Sequence, residues 1–148
     1  SGKVLMMKKL LGIIVLGLLI SGCASYQNSD KHLAKDNNEK LFLLKPGMNK
    51  FEVLKIMESK EYSHPYTADP LTVTSFKNGD DNITVIYYYT NHTAYDWNRG
   101  RYDEIKMKNI TPLIFVNEKL LGWGGEALRR AQDKYDFTIK KDLDIKVE

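Results

Sequence analysis

The chain has 148 residues, with 22 basic and 19 acidic side chains, a formal charge of +3 and a single cysteine. That length suits one domain. The basic residues form no clustered face able to displace counterions, which argues against nucleic-acid binding, and a lone cysteine has no partner for an intrachain disulfide.

Lys8-Lys9 open an apolar run from Leu10 to Ile20, and Ser21-Gly22-Cys23 close it. A charged start, an apolar middle and a small-residue end make the layout of a secretory signal peptide. Leu10–Ile20 is eleven residues. As a helix it reaches about 16 Å, about half of a bilayer core of ~30 Å, so it is too short to span. A buried core helix would not carry the Lys-Lys start. Met7 gives the tidiest first residue, Met6 is the alternative, and Ser1-Gly2 read as a tag remnant. Ile20-Ser21-Gly22-Cys23 resembles a bacterial lipobox. The resemblance implies that 1–22 is a removed signal peptide and that Cys23 carries a diacylglycerol lipid holding the protein to a membrane. Lys3, Lys8 and Lys9 would leave with the signal, and the remainder, with 19 basic and 19 acidic residues, is formally neutral. Ala24 after Cys23, rather than Asp, resembles lipoproteins exported to the outer membrane. This implies a lipid-anchored location there, on the periplasmic face.

Residues 23–40 are then the lipidated cysteine and a polar tether. The segment from Ala24 to Lys40 lacks a helical apolar stripe and cannot bury enough surface to offset its ordering entropy. As a coil it reaches about 20–25 Å. A single domain fills 41–148. Pro46-Gly47 marks a turn. Asn49 with Glu52 makes a capping-box pattern, and a short helix is predicted at about 49–59. Its buried face holds Phe51, Leu54 and Met57, widened by Val53 and Ile56. Leu71–Phe76 alternates weakly, and Ile83–Tyr89 is the clearest strand, rich in β-branched and aromatic residues. Tyr87 and Tyr89 should face one side of the sheet and Tyr88 the other, as packing groups. Leu113–Val116 and Leu120–Trp123 read as a hairpin around Asn117-Glu118-Lys119. Glu126–Lys134 reads as a helix, and 136–147 as either an added strand or a loose tail.

The order of a lipidated cysteine, a polar tether, Leu44-Lys45-Pro46-Gly47-Met48-Asn49-Lys50-Phe51-Glu52-Val53, a short helix and a strand meander resembles the SmpA/OmlA (BamE-like) family of small outer-membrane lipoproteins. Gly47, Met48 and Val53 match that family's Gly-Met-Thr-x-x-x-Val motif. Asn49 stands where Thr is usual, and both residue types cap helices. The Leu-Gly-x-Pro that usually follows the helix is replaced by the longer Met57–Pro65, and Gly122-Trp123-Gly124-Gly125 with its helix is extra. The likeness covers about 41–123. It implies an α+β fold, a short N-terminal helix on a small antiparallel sheet, and a scaffolding role in an outer-membrane assembly; the stretch Glu126–Lys134 adds a further helix near the C-terminus.

Covalent catalysis needs a nucleophile with an activating base, and no such pairing is legible. His32, His64 and His92 lack metal-ligand spacing with one another or with a cysteine. Asp80-Asp81 lacks a calcium-loop pattern and reads as a turn. Asn82, Asn91 and Asn109 each head a chance glycosylation sequon. The polar excursion from Asn91 to Glu104 is the best candidate site. Tyr95, Trp97, Arg99, Arg101 and Tyr102 gather residue types that dominate interface hot spots and suit membrane headgroup depth. Two readings stand: a partner-binding edge, or a loop whose rings fold back onto the sheet. Gly122-Trp123-Gly124-Gly125 could line a ligand cleft, but the preferred reading has the glycines turning the chain while Trp123 fills the core. The protein is therefore expected to be a non-catalytic envelope lipoprotein, with no cofactor and no metal. Its partners would be the membrane, through Cys23, and a protein of the envelope. The alternative is a periplasmic or surface inhibitor or ligand-binding module acting through the aromatic loop.

Overall fold

The computed structural model describes residues 2, 29–59, 70–92, 95–96, 98–102 and 106–139. Residues 3–28, with Cys23 and the expected signal segment, lie outside them. Two helices come first, α1 (Ser29–Leu41) and α2 (Lys50–Met57). Strands β1 (Thr72–Asn78) and β2 (Asp81–Tyr89) follow, then the two-residue strands β3 (Tyr95–Asp96) and β4 (Arg101–Tyr102). A 3-10 turn (Met107–Asn109), β5 (Ile110–Val116), β6 (Lys119–Trp123) and α3 (Gly124–Tyr135) complete the order. The main sheet is β1-β2-β5-β6, antiparallel throughout, and β3 pairs only with β4. This is the α+β arrangement expected, with a helix near the C-terminus.

Residues 29–40 differ from the expected tether: they belong to helix α1. Leu33, Ala34, Asn37 and Leu41 are buried, at helical spacing on one face. Leu33 and Ala34 pack on Tyr89, and Asn37 Nδ2 donates to the Tyr89 carbonyl at 3.0 Å. The stripe passes through an asparagine, so it is invisible to a search for apolar periodicity. The amide is tolerated there because it answers the backbone of β2.

The cap of α2 forms as predicted. Asn49 Oδ1 accepts from the Phe51 N–H at 2.9 Å, and Glu52 Oε2 accepts from the Asn49 N–H at 3.1 Å. Its buried face is turned relative to the expectation. Val53 and Met57 are buried, Leu54 and Ile56 pack beside them, and Phe51 is 73 % exposed.

The strand alternation divides the core in two. On the first face Ile86, Tyr88, Leu113, Phe115 and Leu120 meet Val53 and Met57 of α2 with Leu41 and Leu44. On the second, Ile83, Val85, Tyr87, Ile110 and Ile114 meet Leu128 and Ala131 of α3. The three tyrosines take the sides expected of them, Tyr89 meeting α1. Beyond α3, Phe137 packs on Phe76 with centroids 4.7 Å apart, and 137–139 form no strand.

The β5–β6 turn lacks glycine, yet Asn117 and Glu118 both have positive φ, 48° and 67°. Hairpin twist favours that conformation, and neighbours hold it. Asn82 and Asn117 exchange bonds of 2.9 Å, Asn82 donating to Asn117 Oδ1 and Asn117 donating to the Asn82 carbonyl. Glu118 pairs with Lys50 Nζ at 2.6 Å. In β6 a bulge falls where Ile114 pairs with Gly122 and Phe115 with Leu120. Leu120 and Trp123, three apart, consequently both meet the first-face cluster.

Candidate functional site

The excursion from Asn91 to Glu104 holds a small hairpin. Its backbone sets Tyr95 opposite Tyr102 and Asp96 opposite Arg101. Arg99 is exposed in the turn, next to Gly100 at φ 62°. Trp97 lies outside the described residues, as does Cys23. The register thus brings Tyr95, Arg101 and Tyr102 onto one paired ribbon with Arg99 at its tip.

What fixes the base of that ribbon is Asn109, 2 % exposed. Its Nδ2 donates to the carbonyls of Asn91 (3.1 Å) and His92 (3.3 Å), and its Oδ1 accepts from the Lys106 N–H (3.0 Å). Its own carbonyl accepts from the N–H groups of Thr90 and Asn91, and Thr90 and Thr111 hydroxyls meet at 2.7 Å beside it. Read as a chance sequon, this asparagine is instead the clamp of the hairpin. Asn109→Ala strips three part-buried side-chain bonds, each worth about 0.5–1.5 kcal/mol net. We expect a stability loss of about 2–4 kcal/mol, together with faster amide exchange at 90–92 and 106; unchanged exchange there would deny the clamp.

Gly122 and Trp123, expected to turn the chain and to fill the core, border a second surface feature. Pro46, Leu121, Gly122, Trp123, Ala127, Arg130 and Lys134 line a surface cleft of about 440 Å³, within the span typical of ligand pockets, roughly 300–1,000 Å³. It lies along β6, the outer strand of the sheet. The first half of β6 is covered: Gly47 N–H donates to the Leu120 carbonyl (2.7 Å) and Leu120 N–H to the Met48 carbonyl (2.8 Å). No described strand lies outside the second half, Leu121–Trp123. Trp123 is accordingly half-buried, a cleft wall packed against the core rather than a filled core position. Leu54, expected on the buried face of its helix, is likewise half-buried at the core margin, as is Met48. A Cβ on Gly122 would stand 3.2 Å from Ala127 Cβ, so the glycine lets α3 approach β6 closely, on the second face.

The charges on α3 are unevenly matched. Arg129 takes both oxygens of Glu126, at 2.8 and 3.3 Å, and also Asp133 at 3.3 Å. That guanidinium holds the Glu126 carboxyl below its usual range, with Arg130 a smaller contributor. Arg130 and Lys134 are left with no salt-bridge partner among the described residues; Lys134 Nζ sits 5.0 Å over the Tyr135 ring. Among the described residues no carboxylate lines the cleft. A legible signal existed: Arg129 and Arg130 compete for Glu126 at i+3 and i+4, and only one can hold it bidentately.

His32 and His92 are exposed, and His64 lies outside the described residues. Among the described residues no cluster of three metal-ligating side chains occurs. Nor, among them, is any helix long and apolar enough to cross a membrane.

Residues 18–130 match DUF3192, a family described as a protein of unknown function. The chain belongs to the DUF3192 family. No curated protein and no solved structure matches it. The DUF3192 match takes in α1, both sheet edges and the first half of α3, so most of the cleft falls inside it while Lys134 lies beyond.

Proposed function

We propose that this DUF3192 protein is a non-catalytic lipoprotein of the bacterial outer membrane, held by lipid on Cys23, whose domain binds and steadies a protein partner within an envelope assembly. The observation that carries this reading is the cleft beside the open half of β6. It pairs an apolar wall with cations that have no salt-bridge partner among the described residues, a combination suited to holding a partner. Phe42 and Leu43, 84 % and 60 % exposed, lie in the same connecting stretch as Pro46 and extend the apolar surface available to a partner. The lipobox-like ending at Cys23 supports the anchor, and the SmpA/OmlA likeness of 44–53 supports the scaffolding role. A second reading, an inhibitor or ligand-binding module acting through the β3–β4 hairpin, draws on the Asn109 clamp, which presents that hairpin on a fixed base.

The test uses the full chain in living cells. Cys23→Ser should abolish labelling by a palmitate analogue and leave an uncleaved precursor, because acylation precedes cleavage. A photo-crosslinker at Leu121, which is partly exposed beside the cleft, should trap an envelope protein in the native chain. Equal lipid labelling of both forms would sink the anchor. A crosslink to a soluble enzyme, obtained from position 99 and not from 121, would favour the inhibitor reading.

A further inference from the structure

We infer that the cleft between α3 and β6 is a receptor for an extended acidic–apolar–acidic segment of the partner. This names the partner's chemistry and rests on the binding reading above. The argument is one of spacing and sign. Arg130 and Lys134 are four residues apart on α3, hence about 6 Å along the helix axis. Same-side residues of an extended chain are two apart, or about 6.5–7 Å. Carboxylates at positions i and i+2 of such a segment therefore reach both cations together. The residue between them points the other way, as alternation requires. The opposite wall is apolar, formed by Pro46, Leu121 and Trp123. It comes from the first-face side of the sheet edge, whereas α3 covers the second face.

The charge of the site is set by the fold. Arg129 consumes Glu126 and Asp133, the two acids of α3. Among the described residues no carboxylate is salt-bridged to either cation at the cleft, so both are open to an incoming acid. An acyl carboxylate would bring one negative charge to a site with two separated cations, and leave one of them unanswered. A peptide bearing two carboxylates answers both, and its intervening side chain covers the apolar wall. Each rim pair contributes modestly, so the sign preference arises from the two together.

The experiment measures fluorescence anisotropy of two labelled peptides, alternating Asp-Leu and alternating Lys-Leu, with the detergent-solubilised full chain. The Asp-Leu peptide should bind about tenfold or more tightly than the Lys-Leu peptide. Its affinity should fall as salt rises. Arg130→Glu/Lys134→Glu should reverse the preference, and Arg130→Gln/Lys134→Gln should abolish it. Both positions are exposed, so both variants should keep the native melting temperature. Lys31→Glu/Lys108→Glu makes the same change of net charge at exposed sites elsewhere and should leave the preference intact. If this control reverses the preference too, or if the cleft variants leave it unchanged, the inference is overturned. It is overturned equally if the Asp-Leu peptide does not bind. A crosslink from Leu121 to an envelope protein would survive that failure, so the two readings fail separately.

Discussion

Phe115→Ala should remove about 3–5 kcal/mol of stability, a large share of the roughly 5–15 kcal/mol available to a small domain. Phe115 is 1 % exposed on β5, an inner strand of the sheet. Its ring meets Val53 and Met57 of α2 from one side, with Leu41 and Leu44 closing over the same cluster. β5 is hydrogen-bonded to β2 on one side and, across the bulge at Ile114–Phe115, to β6 on the other, so the vacated space cannot collapse without breaking a ladder. That is the condition under which the cavity term adds fully to the transfer term. Trp123→Ala removes a larger side chain, but a half-buried one that already borders solvent. Its loss opens the cleft rather than the interior, and should be clearly the smaller of the two. Equilibrium urea unfolding of both variants decides the order. Equal losses would restore Trp123 to the core, and a greater loss from Trp123 would show that the cleft wall bears the packing assigned to β5.

The parts of this fold legible in the sequence are those whose cause is local. The cap at Asn49 and Glu52 lies within four residues, and the alternation of Ile83–Tyr89 is a property of one strand; both form as read. The misread parts depend on contacts between distant segments. The buried face of α2 is chosen by what covers it, so Val53 goes inward and Phe51 outward although either would satisfy helical spacing. The bulge in β6 changes which residues share a face, and no propensity announces it. Asn37 and Asn109 look like solvent residues until their acceptors, Tyr89 and the Asn91–His92 backbone, are seen. The same holds for the candidate site. The aromatic and basic residues of the 95–102 segment stood out by composition, and pairing does set three of them on one ribbon. Of the cleft, only the Gly122-Trp123 part is legible in the sequence, and there a core role looks better, because the site is assembled from a turn, an edge strand and a helix.

Leu33→Ala tests the largest of these differences, and is expected to remove about 2–5 kcal/mol. A helix of the length of α1, thirteen residues, is marginal in water on its own, even with good helix formers. The ion pairs Lys40–Asp36 at 2.7 Å and Lys35–Glu39 at 3.7 Å are surface pairs, each contributing at most about 1 kcal/mol. The helix must therefore draw its stability from the domain, through Leu33 and Ala34 on Tyr89, Asn37 on the β2 backbone, and Leu41 in the first-face core. Leu33 is fully buried in that contact. Truncating it should loosen the segment and, through Tyr89, the end of β2. Urea unfolding reads the loss of stability, and amide exchange at 31–41 reads its location. If residues 29–40 behave as a tether, Leu33→Ala will match the parent in both measurements and exchange there will be fast in either protein. If α1 is part of the domain, exchange is slow in the parent and accelerates in the variant, and under the proposed lipid anchor at Cys23 only Ala24–Asn28 would separate that anchor from the first described helix. Such a short connection would hold the β6 cleft at a restricted height above the membrane, and so limit which part of a partner it can meet.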